Sequence, residues 1–433
     1  MTTASFTVLG VGVAGLSIPL FTAVIGYVTN WTGIWMLFSP LEFRGVRIPG
    51  LARIGPSLPR RLRLVPLGLA EGRFGWQGII PSRAAKMGSI AVDKGLSRLG
   101  GAADFYRQLQ PDEIAGRLER EMSPQVPQLV DEAIRARYGG LWDRVPDAAK
   151  RSIERRVQEE LPAALRRVTD RIGDDVDELL DIKLMVIRRM AERPQLANRV
   201  FQEVGERELQ MIIRLGFVFG FVLGIPLVVL VSAVPQWWVL PLAGIVIGWV
   251  TNWLAIEAIF SPLEPRTVGP LTVHGLFIRR QHDVAEIYSA IIAEEVLTVE
   301  RLADDLLHGP KSDRTRAMIA EELEPVLDHA LGSARIAVKA AVGAGDYAAL
   351  GAEIARRSTE RSLAPLADPE LNARQGVHIH RMLTGRMRSL SHPEFAELLR
   401  AAMKEDEWLL LLHGGALGVV GGLLHLAVFG THV

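Results

Sequence analysis

The chain has 433 residues, of which 49% are hydrophobic, and it carries 49 basic and 49 acidic side chains, so its formal net charge is zero. A neutral chain offers no support for binding nucleic acid through bulk electrostatics. The absence of cysteine excludes disulfides, thiolate metal sites and cysteine nucleophiles. No P-loop, HExxH or GxSxG motif occurs, so we expect no cofactor. The histidines form no set of three ligands, so we expect no metal site. From the neutral charge we expect no nucleic-acid partner.

The charged residues are distributed very unevenly. Residues 1–41, 215–256 and 408–433 contain no Asp, Glu, Lys or Arg, and every charged side chain lies in the blocks 42–214 and 257–407. A membrane crossing needs about 20 apolar residues, because hydrocarbon does not solvate charge. We therefore predict an all-α integral membrane protein with four transmembrane helices. Their predicted extents are about 12–38, 215–234, 237–260 and 409–429.

The first apolar block leaves alternatives open. It could hold a single crossing, or one crossing and a re-entrant segment, and the repeat described below favours a single crossing. A cleaved signal peptide over residues 1–28 is a further alternative. It fits poorly, because no basic region precedes the apolar run and the run continues through Phe38.

Arginine residues indicate the orientation. Several of them, from Arg44 to Arg63, follow the first predicted crossing, Arg214 precedes the second, and Arg266, Arg279 and Arg280 follow the third. The opposite side has neither Lys nor Arg. The positive-inside rule therefore predicts that both charged blocks are cytoplasmic and that both termini lie outside.

The chain contains an internal duplication. Residues 24–42 read VIGYVTNWTGIWMLFSPLE and residues 246–264 read VIGWVTNWLAIEAIFSPLE, with 13 of 19 positions identical. Chance similarity between apolar helices would match Val, Ile and Leu, not Gly, Thr-Asn-Trp and Phe-Ser-Pro-Leu-Glu in order. We predict two repeats, 1–234 and 235–433, each with two crossings around a cytoplasmic helical block. Such repeats are parallel and related by a pseudo-two-fold axis along the membrane normal.

The similarity between the halves continues outside this motif. Gly78–Arg83 resembles Gly275–Arg280, and a ladder of glycines four residues apart occurs in the second and the fourth predicted crossings. Small residues at this spacing let helix backbones approach closely in a membrane, so we predict helix packing at both ladders and at the motif glycines. These residues are Gly26, Gly216, Gly220, Gly224, Gly248, Gly414, Gly418 and Gly422.

At these residues the chain resembles the YheB-like family of bacterial membrane proteins, which is defined by a domain of unknown function. The doubled G-x-x-T-N motif and the G-I-I-P element at 78–81 carry the resemblance, which spans nearly the whole chain. The second copy departs from it, with Ile278 where the first has Pro81. The resemblance implies a bacterial membrane location and a repeated layout. It implies no reaction, so no catalytic residue is carried over.

Polar residues inside the apolar segments are the candidate sites. Thr29-Asn30 and Thr251-Asn252 lie within predicted crossings, where an unpaired amide costs several kcal/mol. Each Asn could bond a neighbouring helix, or the pairs could form a mid-membrane site for a headgroup, water or an ion. We predict ligand binding by these four residues. Arg83 and Arg280, just after the membrane, are the predicted contacts to anionic headgroups, the alternative being a solvated basic face.

Both charged blocks show apolar stripes typical of amphipathic helices. We predict helices over 145–179, with breaks at Pro162 and Gly173, and over 314–340 and 378–404. Residues 46–70, rich in Pro, Gly and Arg, favour a hairpin or a surface flap. The stripes either pack together as a bundle or hold lipid tails or lie on the bilayer.

The prediction for function is a non-enzymatic plasma-membrane protein, acting as a membrane-anchored scaffold or binding module in envelope organisation. Its expected partners are membrane lipids, with a protein partner or a second copy of the chain in a homo-oligomer. The alternative is a carrier of lipid or another apolar molecule. An intramembrane enzyme or a channel is weakest, because the sequence shows no paired acids, no nucleophile–base set and no charged pore rings. Glu257, the one acid within the predicted crossings, favours an interfacial carboxylate.

Overall fold

The computed structural model describes residues 13–54, 57, 65–269, 271–336, 343–401 and 403–429. Several sequence predictions fall partly outside these residues. They are the two termini, the start of the first crossing at residue 12, much of the 46–70 segment, and the end of the helix predicted over 314–340.

The described chain is mainly helical and contains four long apolar helices, which we name α1 to α4. Each is long and apolar enough to cross a membrane, as predicted. They are α1 (Val13–Phe38), α2 (Pro194–Ala233), α3 (Val239–Phe260) and α4 (Glu407–Phe429).

The second of these helices begins 21 residues before its predicted start at 215. It is continuous over 40 residues, which corresponds to about 60 Å, twice the thickness of the hydrocarbon layer. Pro194 occupies the first turn, where the missing N–H is not needed. The charge boundary at residue 215 therefore marks where the helix becomes apolar, not where it begins.

The four long helices pack in pairs. α1 runs along α2, and α3 runs along α4; α1 also contacts α4, and α2 contacts α3. A small apolar core, formed by Ile18, Leu227, Val231, Val239 and Leu240, lies near the ends that are joined by the α2–α3 turn.

Two short antiparallel hairpins accompany the helices. Strand β1 (Arg44–Arg47) pairs with β2 (Arg73–Trp76), with Arg44 opposite Trp76. Strand β3 (Arg266–Val268) pairs with β4 (Leu271–Val273), with Arg266 opposite Val273. Each hairpin follows a long apolar helix and a cis Ser-Pro bond, Ser39-Pro40 or Ser261-Pro262.

The chain divides into two compact units, and each takes segments from both sequence halves. Unit 1 comprises the described residues of 1–95, 187–288 and 387–433, with the four long helices and both hairpins. Its shorter helices are Leu51–Ile54, Ile79–Ser82, Ala84–Ala91, Leu276–Arg279 and His392–Ala401.

Unit 2 comprises residues 96–186 and the described residues of 289–386. Its helices are Ser97–Leu99, Ala102–Gln108, Pro111–Met122, Val126–Trp142, Asp147–Asp174, Val176–Leu179, Val299–His308, Ser312–Leu331 and Ala344–Leu366. The helices Ile182–Glu192, Gln281–Glu295 and Pro369–Arg388 contribute residues to both units.

The helices of the charged blocks differ from the predictions in three ways. The helix Asp147–Asp174 continues through Pro162, so the predicted break there is wrong. The helix predicted over 378–404 is two helices, Pro369–Arg388 and His392–Ala401. The second of these helices begins at His392 because the side chain of Glu394 accepts a hydrogen bond from the backbone N–H of Ser391 at 3.0 Å, which caps its first turn. The helix Ala344–Leu366 was not predicted.

Candidate functional site

The two motif asparagines join helices at matching places. Nδ2 of Asn30 on α1 donates to the backbone oxygen of Ile212 on α2 at 2.7 Å, and Nδ2 of Asn252 on α3 donates to that of Leu410 on α4 at 2.5 Å. Both asparagines are buried. These are the contacts that the helix-packing interpretation requires. Among the described residues, Oδ1 of Asn30 has no hydrogen-bond partner.

Glycines make these contacts possible because they place no side chain between the helices where they cross. A Cβ on Gly216 would lie 2.6 Å from Nδ2 of Asn30, and one on Gly414 would lie 2.6 Å from Nδ2 of Asn252. All eight predicted packing glycines lie against backbone or side-chain atoms of the neighbouring helix. Gly244, which faces the carbonyl of Gly418, was missed in the sequence; its position four residues before Gly248 was the available signal.

The motif threonines come together between the two helix pairs. Thr29 and Thr251, each 1% exposed, line a cavity of about 30 Å³ among the four long helices. That space holds no more than about two water molecules. Oγ1 of Thr251 has no hydrogen-bond partner in the described part of the chain. The structure thus places the threonines at a shared cavity and directs the asparagine amides elsewhere, to carbonyls within their own helix pairs.

Two histidines on α4 connect it to α1. Nε2 of His413 lies 2.9 Å from Oγ1 of Thr32, and Nε2 of His425 lies 3.2 Å from Oγ of Ser17. Both contacts are polar packing contacts between the two helices. Within the described ranges, no group of three or more His, Asp or Glu could hold a metal ion.

Arg83 and Arg280 each contact a buried carboxylate. Arg83 forms an ion pair with Asp406, next to the start of α4. Nη1 of Arg280 lies 2.6 Å from Oε1 of Glu208 on α2, whose side chain is 3% exposed. Each pair therefore joins one sequence half to the other. Headgroup binding by these arginines stays a prediction, and both guanidinium groups already have a negative partner.

Sequence reasoning missed the two acids of these pairs. Glu208 and Asp406 each stand eight residues before a ladder glycine, Gly216 and Gly414. That equal spacing was the signal that could have identified them.

Equivalent backbone contacts position the two arginines. The N–H of Gly78 donates to the carbonyl of Pro40 at 2.9 Å, and the N–H of Gly275 donates to that of Pro262, also at 2.9 Å. A Cβ on Gly78 would lie 2.8 Å from backbone atoms at the end of α1, so only glycine allows this approach. Arg83 and Arg280 follow these glycines by five residues. The Gly–Pro hydrogen bonds therefore fix the backbone position from which each arginine side chain extends.

Comparison with known proteins returned no matching family model, no matching curated protein and no matching solved structure. The resemblance in the duplicated motif therefore rests on the residues of this chain alone.

Proposed function

We propose that the chain is a non-enzymatic, membrane-anchored scaffold or binding module in the envelope of a bacterium. In this proposal the four long helices cross the plasma membrane as two parallel repeats. Both charged blocks are cytoplasmic and both termini lie outside. Membrane lipids surround the anchor, and the partner is a protein or a second copy of the chain.

Matching contacts support the parallel repeats. The bond from Asn30 to α2 has its equivalent in the bond from Asn252 to α4, and the Arg83 ion pair has its equivalent at Arg280. Parallel repeats related by an axis along the membrane normal would place such contacts at the same depth.

The observation that carries the scaffold role is the use of polar groups inside the helices. The asparagine amides bond helix backbones, and the cavity between the helix pairs is about 30 Å³. A transport path needs polar groups that face a larger water-filled space or a substrate. The arrangement therefore favours a closed anchor over a carrier or a channel.

Two assays on the full chain test this role. In proteoliposomes we expect neither scrambling of a fluorescent phospholipid nor solute efflux above the rate of protein-free vesicles. In cells, a photo-cross-linking residue at Val377, an apolar side chain of unit 2 that is 50% exposed, should give one discrete protein adduct. The same residue at Arg155, which is exposed and charged, serves as the control.

The outcomes separate the alternatives. Lipid scrambling or solute efflux that Asn30→Leu and Asn252→Leu abolish without unfolding the protein would contradict the scaffold and favour the carrier or the channel. Equal, diffuse labelling at Val377 and Arg155 would contradict a defined partner at this surface.

A further inference from the structure

Unit 1 contains an open groove beside α3 that is much larger than the central cavity. Its volume is about 1170 Å³, and it lies between α2, α3, the β3–β4 hairpin and residues 390–393. Small-molecule sites usually enclose about 300–1,000 Å³, so this groove is large enough for an extended ligand such as a lipid. The residues that define it are Phe219, Leu254, Glu257, Ala258, Glu264 and Arg266.

The groove has an apolar part and a charged part. Phe219, Leu254 and Ala258 belong to helices that can cross a membrane, whereas Glu264 and Arg266 follow the end of α3. Glu257 lies one turn before that end, between the two parts. An amphipathic molecule at a membrane surface has this same division between chain and headgroup.

The charges at the groove are only partly compensated. Oε2 of Glu257 forms an ion pair with Nη2 of Arg400 at 3.7 Å, and the same guanidinium group bonds Glu407 through Nε at 2.9 Å, so two carboxylates share one positive charge. Among the residues that the structure describes, Glu264 and Arg266 form no ion pair with one another or with a third group. Two carboxylates and one guanidinium group thus face the groove, which complements a headgroup with both an ammonium and a phosphate.

We infer that this groove binds one phospholipid whose headgroup carries a primary ammonium. The ammonium would donate to the carboxylates of Glu257 and Glu264, and the phosphate would accept from Arg266, since charge-assisted hydrogen bonds are the strong ones. The acyl chains would lie along Phe219 and Leu254. The inference rests on the membrane placement in the proposed function.

The first sequence half provides a matched control. In the duplicated motif Glu42 aligns with Glu264, but Trp35 aligns with Glu257. The pair of carboxylates therefore exists only in the second half, and Glu42→Gln removes the equivalent charge without touching the groove.

The test is a lipid titration of the full chain in detergent micelles, followed by native mass spectrometry. The probes are phosphatidylethanolamine, phosphatidylcholine and phosphatidylglycerol with identical acyl chains, and soluble glycerophosphoethanolamine. We expect one phosphatidylethanolamine per chain, bound about tenfold more tightly than phosphatidylcholine, whose quaternary ammonium cannot donate a hydrogen bond. Glu257→Gln and the exposed Glu264→Gln should each remove this preference, whereas Glu42→Gln should keep it.

Several outcomes would overturn the inference. Equal affinity for the three phospholipids would indicate an annular lipid only, and a preference for phosphatidylglycerol would assign the site to the basic groups. Tight binding of glycerophosphoethanolamine would show that the apolar part plays no role. Ala258→Trp, which fills that part, should weaken binding of all three lipids; unchanged binding would contradict the location. The assay measures lipid affinity alone, so its failure is distinct from a missing cross-linked partner or from flux.

Discussion

Gly418→Ala tests whether the glycine ladders are true backbone-to-backbone crossings. A Cβ at Gly418 would overlap the carbonyl of Gly244 on α3 and would lie 3.3 Å from its Cα. The obstacle is a helix backbone, which cannot rotate away as a flexible side chain can. Relief therefore requires α3 and α4 to move apart, which lengthens the hydrogen bond between Asn252 and α4 as well.

The magnitude follows from two opposing effects. Overpacking a well-packed contact costs about 1–3 kcal/mol, and replacing glycine by alanine within a helix returns about 1 kcal/mol of helix propensity. We expect the upper part of the first range, because backbone atoms are involved, and hence a net loss of about 1–2 kcal/mol in the free energy of unfolding.

Gly116→Ala is the matched control. Gly116 lies in the helix Pro111–Met122, and nothing stands within 4 Å of the position of its Cβ. The same substitution should therefore stabilise the protein by about 0.5–1 kcal/mol. Unfolding in mixed micelles of mild detergent and dodecyl sulfate, followed by far-ultraviolet circular dichroism, measures both variants. If Gly418→Ala is as stable as the wild type or more so, the crossing is not close-packed and the reasoning is refuted.

Three further predictions use the same unfolding assay. Arg280→Met leaves Glu208 as an unpaired buried carboxylate and should cost about 3–5 kcal/mol, most of which the double variant with Glu208→Met should recover; a loss below about 1 kcal/mol would contradict the buried pair. Hydrogen bonds from Arg356 hold the pKa of Glu353 at about 2, so the pair contributes its stability above pH 4.5 and loses it as the pH falls towards 2. As the pH is lowered across that window, the free energy of unfolding of Glu353→Gln should therefore fall by about 1 kcal/mol less than that of the wild type. An equal fall in both proteins would show that the pair contributes nothing. Thr251→Val removes a hydroxyl that has no partner among the described residues and should change stability by less than about 0.5 kcal/mol, whereas Asn252→Leu should cost about 1 kcal/mol; the reverse order would indicate that the hydroxyl holds a bound group.

The distribution of charge predicted the four long helices because burying charge in hydrocarbon is prohibitive. The glycine spacing predicted close packing because backbones meet only where side chains are absent. The duplicated motif also identified Asn30 and Asn252 as residues that need a partner. In each case the physical cause acts within one helix, so a local pattern in the sequence carries it.

The pairing of distant groups could not be predicted in this way. The spacing to a ladder glycine distinguishes Glu208 and Asp406 from other charged residues, but only the folded chain shows that Arg280 and Arg83 reach them. The start of α2 was missed for a related reason: charged residues continue a helix as readily as apolar ones, so the end of a charged block carries no information about a helix terminus. The groove beside Glu257 depends on four separate segments that no local pattern connects.

Cysteine labelling tests most directly whether the four long helices cross the membrane with both charged blocks in the cytoplasm. Because the chain has no cysteine, single cysteines can be introduced at Gln236, exposed in the α2–α3 turn, and at Ser152, exposed in the first charged block. Right-side-out membrane vesicles are then treated with a membrane-impermeant maleimide before and after permeabilisation. We predict that Gln236→Cys is labelled at once and that Ser152→Cys is labelled only after permeabilisation. Immediate labelling of Ser152→Cys, with Gln236→Cys protected, would contradict this topology.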